Sequence, residues 1–214
     1  MTARGLRPPQ PDLFLARDEI ELDRAFATAR RTALDASSWI ELVPAWLRGG
    51  ERLLESLLEA VPWQQHYRRM FDQRFLEPRL TAQYQSLRNP LHRALLDAAS
   101  ALSDHYGVKY DNLWLNLYRD GRDSTGWHRD RFSCRRPECI VPVLTLGAAR
   151  RFLLKPRAGG SSIALEPHCG DLVVMGGRCQ QDWVHCVPKD DASIGVRISL
   201  NFQSSEQARV TPDR

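Results

Sequence analysis

"RISLNFQ", residues 197–203, alternates without a break: Ile198, Leu200 and Phe202 fall on one side of an extended chain, Arg197, Ser199, Asn201 and Gln203 on the other. The polar row suits a solvent face. Turned inward, it suits a carboxylate, which an Arg guanidinium grips in a fork with short hydrogen-bonding neighbours beside it. The same texture extends back to Asn112 through "LWLNLY", "IVPVLTLG", "RFLLK", "SSIALE", "DLVVMGG" and "DWVHCV". Turn signals at Asp120-Gly121, Gly159-Gly160, Gly170-Asp171 and Gly176-Gly177 separate these runs. They show neither a helical period nor a repeat. The expected fold is α+β and mainly β: an antiparallel barrel or two-sheet jelly roll with an α-rich N-terminal part packed against it.

The N-terminal half reads differently. Residues 1–20 are Pro-rich with little apolar period and are expected to form a loosely docked arm. "SSWIELVPAWL" (37–47) predicts a strand that turns at Pro44. Leu53, Leu54, Leu57 and Leu58 fall on one stripe and predict a helix from about Gly50 to Ala60. "WQQHYRRMFDQRFLEPRLTAQY" (63–84) interleaves aromatics with arginines and reads as a hairpin or loop pair. A second helix is expected to open at Asn89-Pro90, carry Leu91, Leu95, Ala98, Leu102 and Tyr106 on one face, and end at Gly107.

With 214 residues, 43% apolar and 26% charged, the chain is long enough for one real core and reads as a single functional unit. The expected organisation is an arm (1–20), a helical extension with a recognition segment (21–110) and a β core (111–205). The sequence shows no leader pattern and no apolar run long enough to span a bilayer, so a cytoplasmic, monomeric protein without membrane contact is expected. The five cysteines (Cys134, Cys139, Cys169, Cys179, Cys186) read as reduced thiols, with Cys134 and Cys139 at most half of a zinc site. A net charge of +4 permits an anionic partner without requiring one.

In "GWHRDRF" (126–132), His128 and Asp130 lie two residues apart after a Gly-rich turn, and on extended backbone their side chains point to the same side. His-x-Asp by itself arises often by accident. Of the other histidines, His66, His92 and His105 precede the β-rich region and His168 sits in a turn, leaving His185 in "DWVHCV" as the third ligand a jelly roll can deliver. Two imidazoles and a carboxylate leave positions open on a cation, the arrangement of non-haem Fe(II) oxygenases, whereas zinc prefers a fuller shell. Asn116 and Tyr118 in "LNLY" share one strand face and can reach the same ligand as the Arg197 row. Together these residues suggest a site for a dicarboxylate beside a metal.

"NLYRDGRDSTGWHRD", "VHCVPK" and "RISLNF", taken in order, resemble the AlkB family of Fe(II)- and 2-oxoglutarate-dependent dioxygenases, and the likeness spans roughly residues 61–203. It includes "PRLTAQY" (78–84), similar to part of that family's nucleotide-recognition region. The resemblance implies a double-stranded β-helix, with N-terminal helices and a nucleotide-recognition lid. It implies that Fe(II) is held by His128, Asp130 and His185. The cosubstrate 2-oxoglutarate would be held by Asn116, Tyr118, Arg197, Ser199 and Asn201, with Gln203 at the end of that row and Arg197 on the distal carboxylate. O2 would be the second cosubstrate. The implied reaction is oxidative dealkylation of nucleobases such as N1-methyladenine and N3-methylcytosine in DNA or RNA, releasing formaldehyde, succinate and CO2. The same chemistry acting on a protein, a tRNA or a small molecule is the alternative, and a non-catalytic binding protein on this barrel is the weaker rival.

Two departures bear on the carry-over: Gln203 stands where relatives usually have a second Arg, and Phe132 where many have an acid. For the substrate, Arg68, Arg69, Arg74 and Arg79 are expected on phosphates and Trp63, Tyr67 or Tyr84 stacked on the extruded base, against the plain reading of solvated arginines and core aromatics. Trp127 is expected to pack beside the metal.

Overall fold

The computed structural model describes residues 20–70, 73–87, 92–130, 134–192 and 195–208, with backbone alone at 68–70 and 73. The first elements are β1 (Glu21–Leu22), β2 (Arg30–Ala33), β3 (Ser38–Val43), β4 (Leu47–Arg48) and α1 (Gly50–Ala60). Then come β5 (Tyr67–Met70), β6 (Gln73–Leu76), β7 (Leu80–Tyr84) and α2 (Arg93–Tyr106). The C-terminal half contains β8 (Asn112–Tyr118), β9 (Thr125–His128), β10 (Val141–Gly147), β11 (Phe152–Pro156), β12 (Ile163–Leu165) and β13 (Leu172–Gly177). It ends with α3 (Cys179–Asp182), β14 (Trp183–Val187), β15 (Arg197–Gln203) and α4 (Ser205–Ala208).

From β8 onward the chain passes back and forth between two antiparallel sheets. β8, β10, β13 and β15 enter a large sheet ordered β2-β3-β13-β10-β15-β8-β7, while β9, β11, β12 and β14 form a small one ordered β12-β11-β14-β9. This alternation is the jelly roll the turn-punctuated texture predicts. The 21–110 segment adds β2, β3 and β7 to the large sheet and covers it with α1 and α2. Period-2 patterning decides which side chains meet. Leu113, Leu115 and Leu117 of β8 and Ile198, Leu200 and Phe202 of β15 enter the helix-side core with Leu53, Leu57, Leu95 and Leu102. The opposite rows, Asn116 and Tyr118 with Arg197 and Ser199, face the small sheet. There, Val143, Phe152, Leu154 and Met175 build a second core.

α1 occupies the expected residues and buries Leu53 and Leu57. α2 begins later than Asn89-Pro90, a pair that lies, with Leu91, outside the described residues. His92 caps it, its Nδ1 accepting the Ala94 N–H at 3.1 Å, and Gly107 in the left-handed region closes it. The cysteines require a correction: Cys134 and Cys139 are joined in a disulfide, so only Cys169, Cys179 and Cys186 are thiols. The bond closes a short loop over residues 134–139, and Cys134 N–H returns to the Asp130 carbonyl at 3.0 Å.

Gly170 ties the α1 entry to the large sheet. Its carbonyl accepts Leu47 N–H at 3.0 Å, its N–H reaches Thr145 O at 2.8 Å, and at φ +85° any Cβ would collide with the Leu47 carbonyl. Gly170→Ala is therefore expected to cost about 2–4 kcal/mol from left-handed strain and backbone collision. In a chain of this length that lowers the melting temperature by roughly 5–15 °C, checked by thermal unfolding followed by circular dichroism.

Candidate metal centre

β9 and β14 bring the first two candidate ligands together. His128 and His185 are direct cross-strand partners, with ring centroids 4.3 Å apart. The next pair is Val187 with Thr125, so Gly126 and Trp127 oppose the single residue Cys186 and form a bulge. That extra residue lets Thr125 and His128 both line the same cavity. It also aims the Gly126 carbonyl at His128 Nδ1, 2.8 Å away. With Nδ1 as the N–H donor, the Nε2 lone pair is left for a metal.

Asp130 completes the group. Its Oδ1 lies 3.5 Å from His128 Nε2 and its Oδ2 3.6 Å from His185 Nε2. One ligand atom from each of the three residues falls within 4.8 Å of the others. Burial pushes the His185 pKa down to about 4, against the pull of Asp130, so its ring is neutral at pH 7. Burial also opposes charge on Asp130, but His185, His128 and Arg79 outweigh it and hold the carboxyl at about 2. Two imidazoles around an ionised carboxylate form a donor set that fits a divalent metal with sites left open for further ligands.

The floor of the same cavity, whose volume is about 1450 Å³, holds Arg197. This side chain is 1% exposed, and burial presses its pKa below the ordinary Arg value. Nη2 donates to Thr145 Oγ1 at 3.2 Å, while Nε and Nη1 have no hydrogen-bonding partner among the described residues. A buried guanidinium with two undirected donors fits a carboxylate. Ser199 and Asn116 stand beside it, Asn116 Nδ2 donating to Ser199 Oγ at 3.0 Å. Asn116 Oδ1 accepts from Trp114 Nε1 at 2.9 Å and Arg79 Nε at 3.0 Å, so this amide is locked and one N–H remains for a ligand. Tyr118 hydroxyl pairs with Thr125 Oγ1 at 2.7 Å, and Asn201 and Gln203 line the cavity further along.

The residues expected on the substrate separate into two groups. Tyr67, 61% exposed with the Arg74 guanidinium 4.9 Å from its ring, lines the outer part of the cavity with His66, whereas the largely buried Arg79 turns inward between Asn116 and Glu77. Trp63 and Tyr84, expected as stacking platforms, instead pack against the helix-side core: Tyr84 ends β7, which pairs with β8, and Trp63 precedes the Gln64–Thr81 bridge to β7. The side chains of Arg68 and Arg69 lie outside the described residues, as does Phe132. Trp127 does not pack beside the metal centre: the bulge turns it outward, 42% exposed, with Lys155 Nζ 4.4 Å from its ring. Thr125 and Thr145 escaped the sequence reading, although Thr125 stands in the quoted "DSTGWH" stretch.

Comparison with known proteins agrees with this geometry. Residues 48–206 match the family described as the 2OG-Fe(II) oxygenase superfamily. The chain belongs to the AlkB family of this superfamily. It is 32% identical over 179 residues to the alpha-ketoglutarate-dependent dioxygenase alkB homolog 3 of Bos taurus, an alignment covering 74% of this chain and 62% of that protein. It is 28% identical over 184 residues to the DNA oxidative demethylase ALKBH2 of Arabidopsis thaliana, covering 67% and 58%. The chain thus spans about three fifths of the length of the curated relatives it matches. The solved structure of OsALKBH1 shares the fold, with a TM-score of 0.54 at 12% identity over 82% of this chain and 100% of that one. The superfamily's cofactors are Fe(II), 2-oxoglutarate and O2, and His128, Asp130 and His185 form a possible iron site. Among the described residues no helix is long and apolar enough to cross a membrane.

Proposed function

We propose that the protein is an Fe(II)- and 2-oxoglutarate-dependent dioxygenase that oxidatively removes alkyl groups from nucleobases in DNA or RNA. The observation that carries this reading is the convergence, in one cavity, of the His128, Asp130 and His185 triad with the buried Arg197. Bound Fe(II) with 2-oxoglutarate and O2 supplies the oxidation of an N-linked alkyl carbon, which leaves as an aldehyde while succinate and CO2 are formed. The chain supplies position and polarity. His185 presents a neutral Nε2, His128 turns its Nε2 toward Asp130 with Nδ1 held at the Gly126 carbonyl, and Asp130 presents a charged carboxylate. Arg197 draws the distal carboxylate of 2-oxoglutarate to the cavity floor and leaves its other end toward the triad. Ser199 and the remaining Asn116 N–H flank it.

The mouth suits a nucleic-acid strand. Exposed Tyr67, Phe75 and Leu76 project from the β5–β6 hairpin, with Arg74 over the Tyr67 ring. An aromatic face beside arginines serves base stacking and phosphate contact. A base within a duplex cannot reach a recessed metal, so the substrate base is flipped or single-stranded, and alkylation of a pairing nitrogen lowers that cost. The names of the matched relatives, a dioxygenase and a DNA oxidative demethylase, support the same reading.

Short oligonucleotides carrying N1-methyladenine or N3-methylcytosine, incubated with protein, Fe(II), 2-oxoglutarate, ascorbate and air, are expected to lose the mass of one methylene. The loss should require every component. Succinate formation that ignores the oligonucleotide would transfer the substrate to a protein, a tRNA or a small molecule, and product without 2-oxoglutarate would overturn the dioxygenase itself.

A further inference from the structure

The strand pair that carries two of the three candidate ligands is a weak ruler. β9 and β14 share two residue pairs with a bulge between them, and so short a ladder leaves the separation of its strands poorly determined. Two buried polar side chains that do not line the cavity grip its two ends. Arg150, 1% exposed, donates Nη1 to Asp120 O at 2.9 Å and Nη2 to Asp123 O at 2.9 Å and Pro188 O at 2.7 Å. Residues 120–123 lead into β9 and Pro188 follows β14, so one guanidinium joins the entry of one strand to the exit of the other. At the opposite end Gln180, also 1% exposed, accepts Asp130 N–H through Oε1 at 2.8 Å. It sits on α3, five residues before His185, and the neighbouring Gln181 carbonyl receives Arg129 Nη1 at 3.2 Å.

The geometry points to Arg150 and Gln180 as positioning residues that set the spacing of the metal ligands from behind the site. A planar guanidinium meeting several carbonyls at once holds them at fixed separations, which a lysine ammonium with three rotatable donors cannot do. The Gln180 acceptor fixes the backbone of Asp130, and with it the direction of the carboxylate. Side chains that hold a metal ligand without touching the metal typically govern affinity or activity by about 10- to 100-fold. The fold has its own cores and depends far less on either residue.

This rests on His128, Asp130 and His185 being metal ligands, and the test separates the two ideas. Metal-free protein is titrated anaerobically with Co(II), a first-row ion that suits imidazole and carboxylate ligands. Absorption reports binding, and thermal unfolding is recorded on the same metal-free samples. Gln180→Met, which keeps length and removes the acceptor, is expected to lower Co(II) affinity about 10- to 100-fold. Its metal-free melting temperature should stay within a few degrees of the parent, while exchange of the Asp130 amide speeds up and that of the large sheet does not. Arg150→Lys is expected to lower affinity in the same direction. If the parent itself takes no Co(II), the ligand assignment fails. If the parent binds and both variants bind within twofold of it, the positioning role is overturned. It is overturned equally if lost affinity is matched by collapse of the metal-free fold.

Discussion

Arg197→Met is expected to raise the 2-oxoglutarate concentration for half-maximal turnover about 30- to 3,000-fold, the range set by removing one partner of a buried charge pair. The guanidinium is fully buried and spends one donor on Thr145, with Nε and Nη1 left over for a ligand. No carboxylate among the described residues forms an ion pair with it. Without ligand the protein therefore carries the desolvation cost of this cation, offset only by Thr145 and the Tyr118 ring 5.3 Å away. Met fills the same space without a charge. The ligand-free variant is thus expected to melt no lower than the parent, and the two differ when 2-oxoglutarate is added. At a hundred times its Kd the ligand stabilises the parent by about 2.7 kcal/mol, roughly 5–10 °C, and the variant by less than about 1 kcal/mol. Steady-state kinetics and melting curves across a 2-oxoglutarate series measure both. An unchanged requirement would place the dicarboxylate elsewhere in the cavity.

Removing a ligand should cost more than disturbing a neighbour. His185→Ala is expected to reduce turnover by more than the roughly 10- to 100-fold that supporting contacts cost, down to the level of chelator-treated protein. The reason is electrostatic as well as geometric. His185 offers a neutral nitrogen beside the Asp130 carboxylate, and with that imidazole gone His128 and Asp130 lose the opposed arrangement across β9 and β14. Excess Fe(II) should not restore the rate. His168→Ala, exposed in the turn before β13, is the control that should keep it. Retained turnover in His185→Ala would detach the chemistry from this triad.

Wherever a signal was local and periodic it could be read from the chain. The alternation in β8 and β15 sorted leucines from polar ligands because a strand has only two faces, and the α1 stripe gave its helix to the residue. The triad was legible because His128 and Asp130 share a face and few histidines compete for the third place. What escaped depends on distant partners. Arg150 stands in sequence as one basic residue after a turn, and only folding surrounds it with carbonyls from two loops. Trp63 and Tyr84 sit among arginines in sequence, yet the pairing of β7 with β8 and the Gln64–Thr81 bridge lay both rings against the core. The disulfide was missed because spacing alone does not say which thiols meet.

Because successive strands shuttle between the two sheets, nearly every neighbour in the jelly roll is remote along the chain: Tyr118 meets Arg197 and His128 meets His185. Such pairings demand large loop closures before any contact rewards them, so this architecture folds late and cooperatively, on the millisecond-to-second scale of nonlocal β proteins. During synthesis β15 is the final jelly-roll strand to emerge, and it brings Arg197 and the seam between β10 and β8 with it. The cavity that gathers His128, Asp130 and His185 with Arg197 is therefore complete only once β15 has docked between β10 and β8.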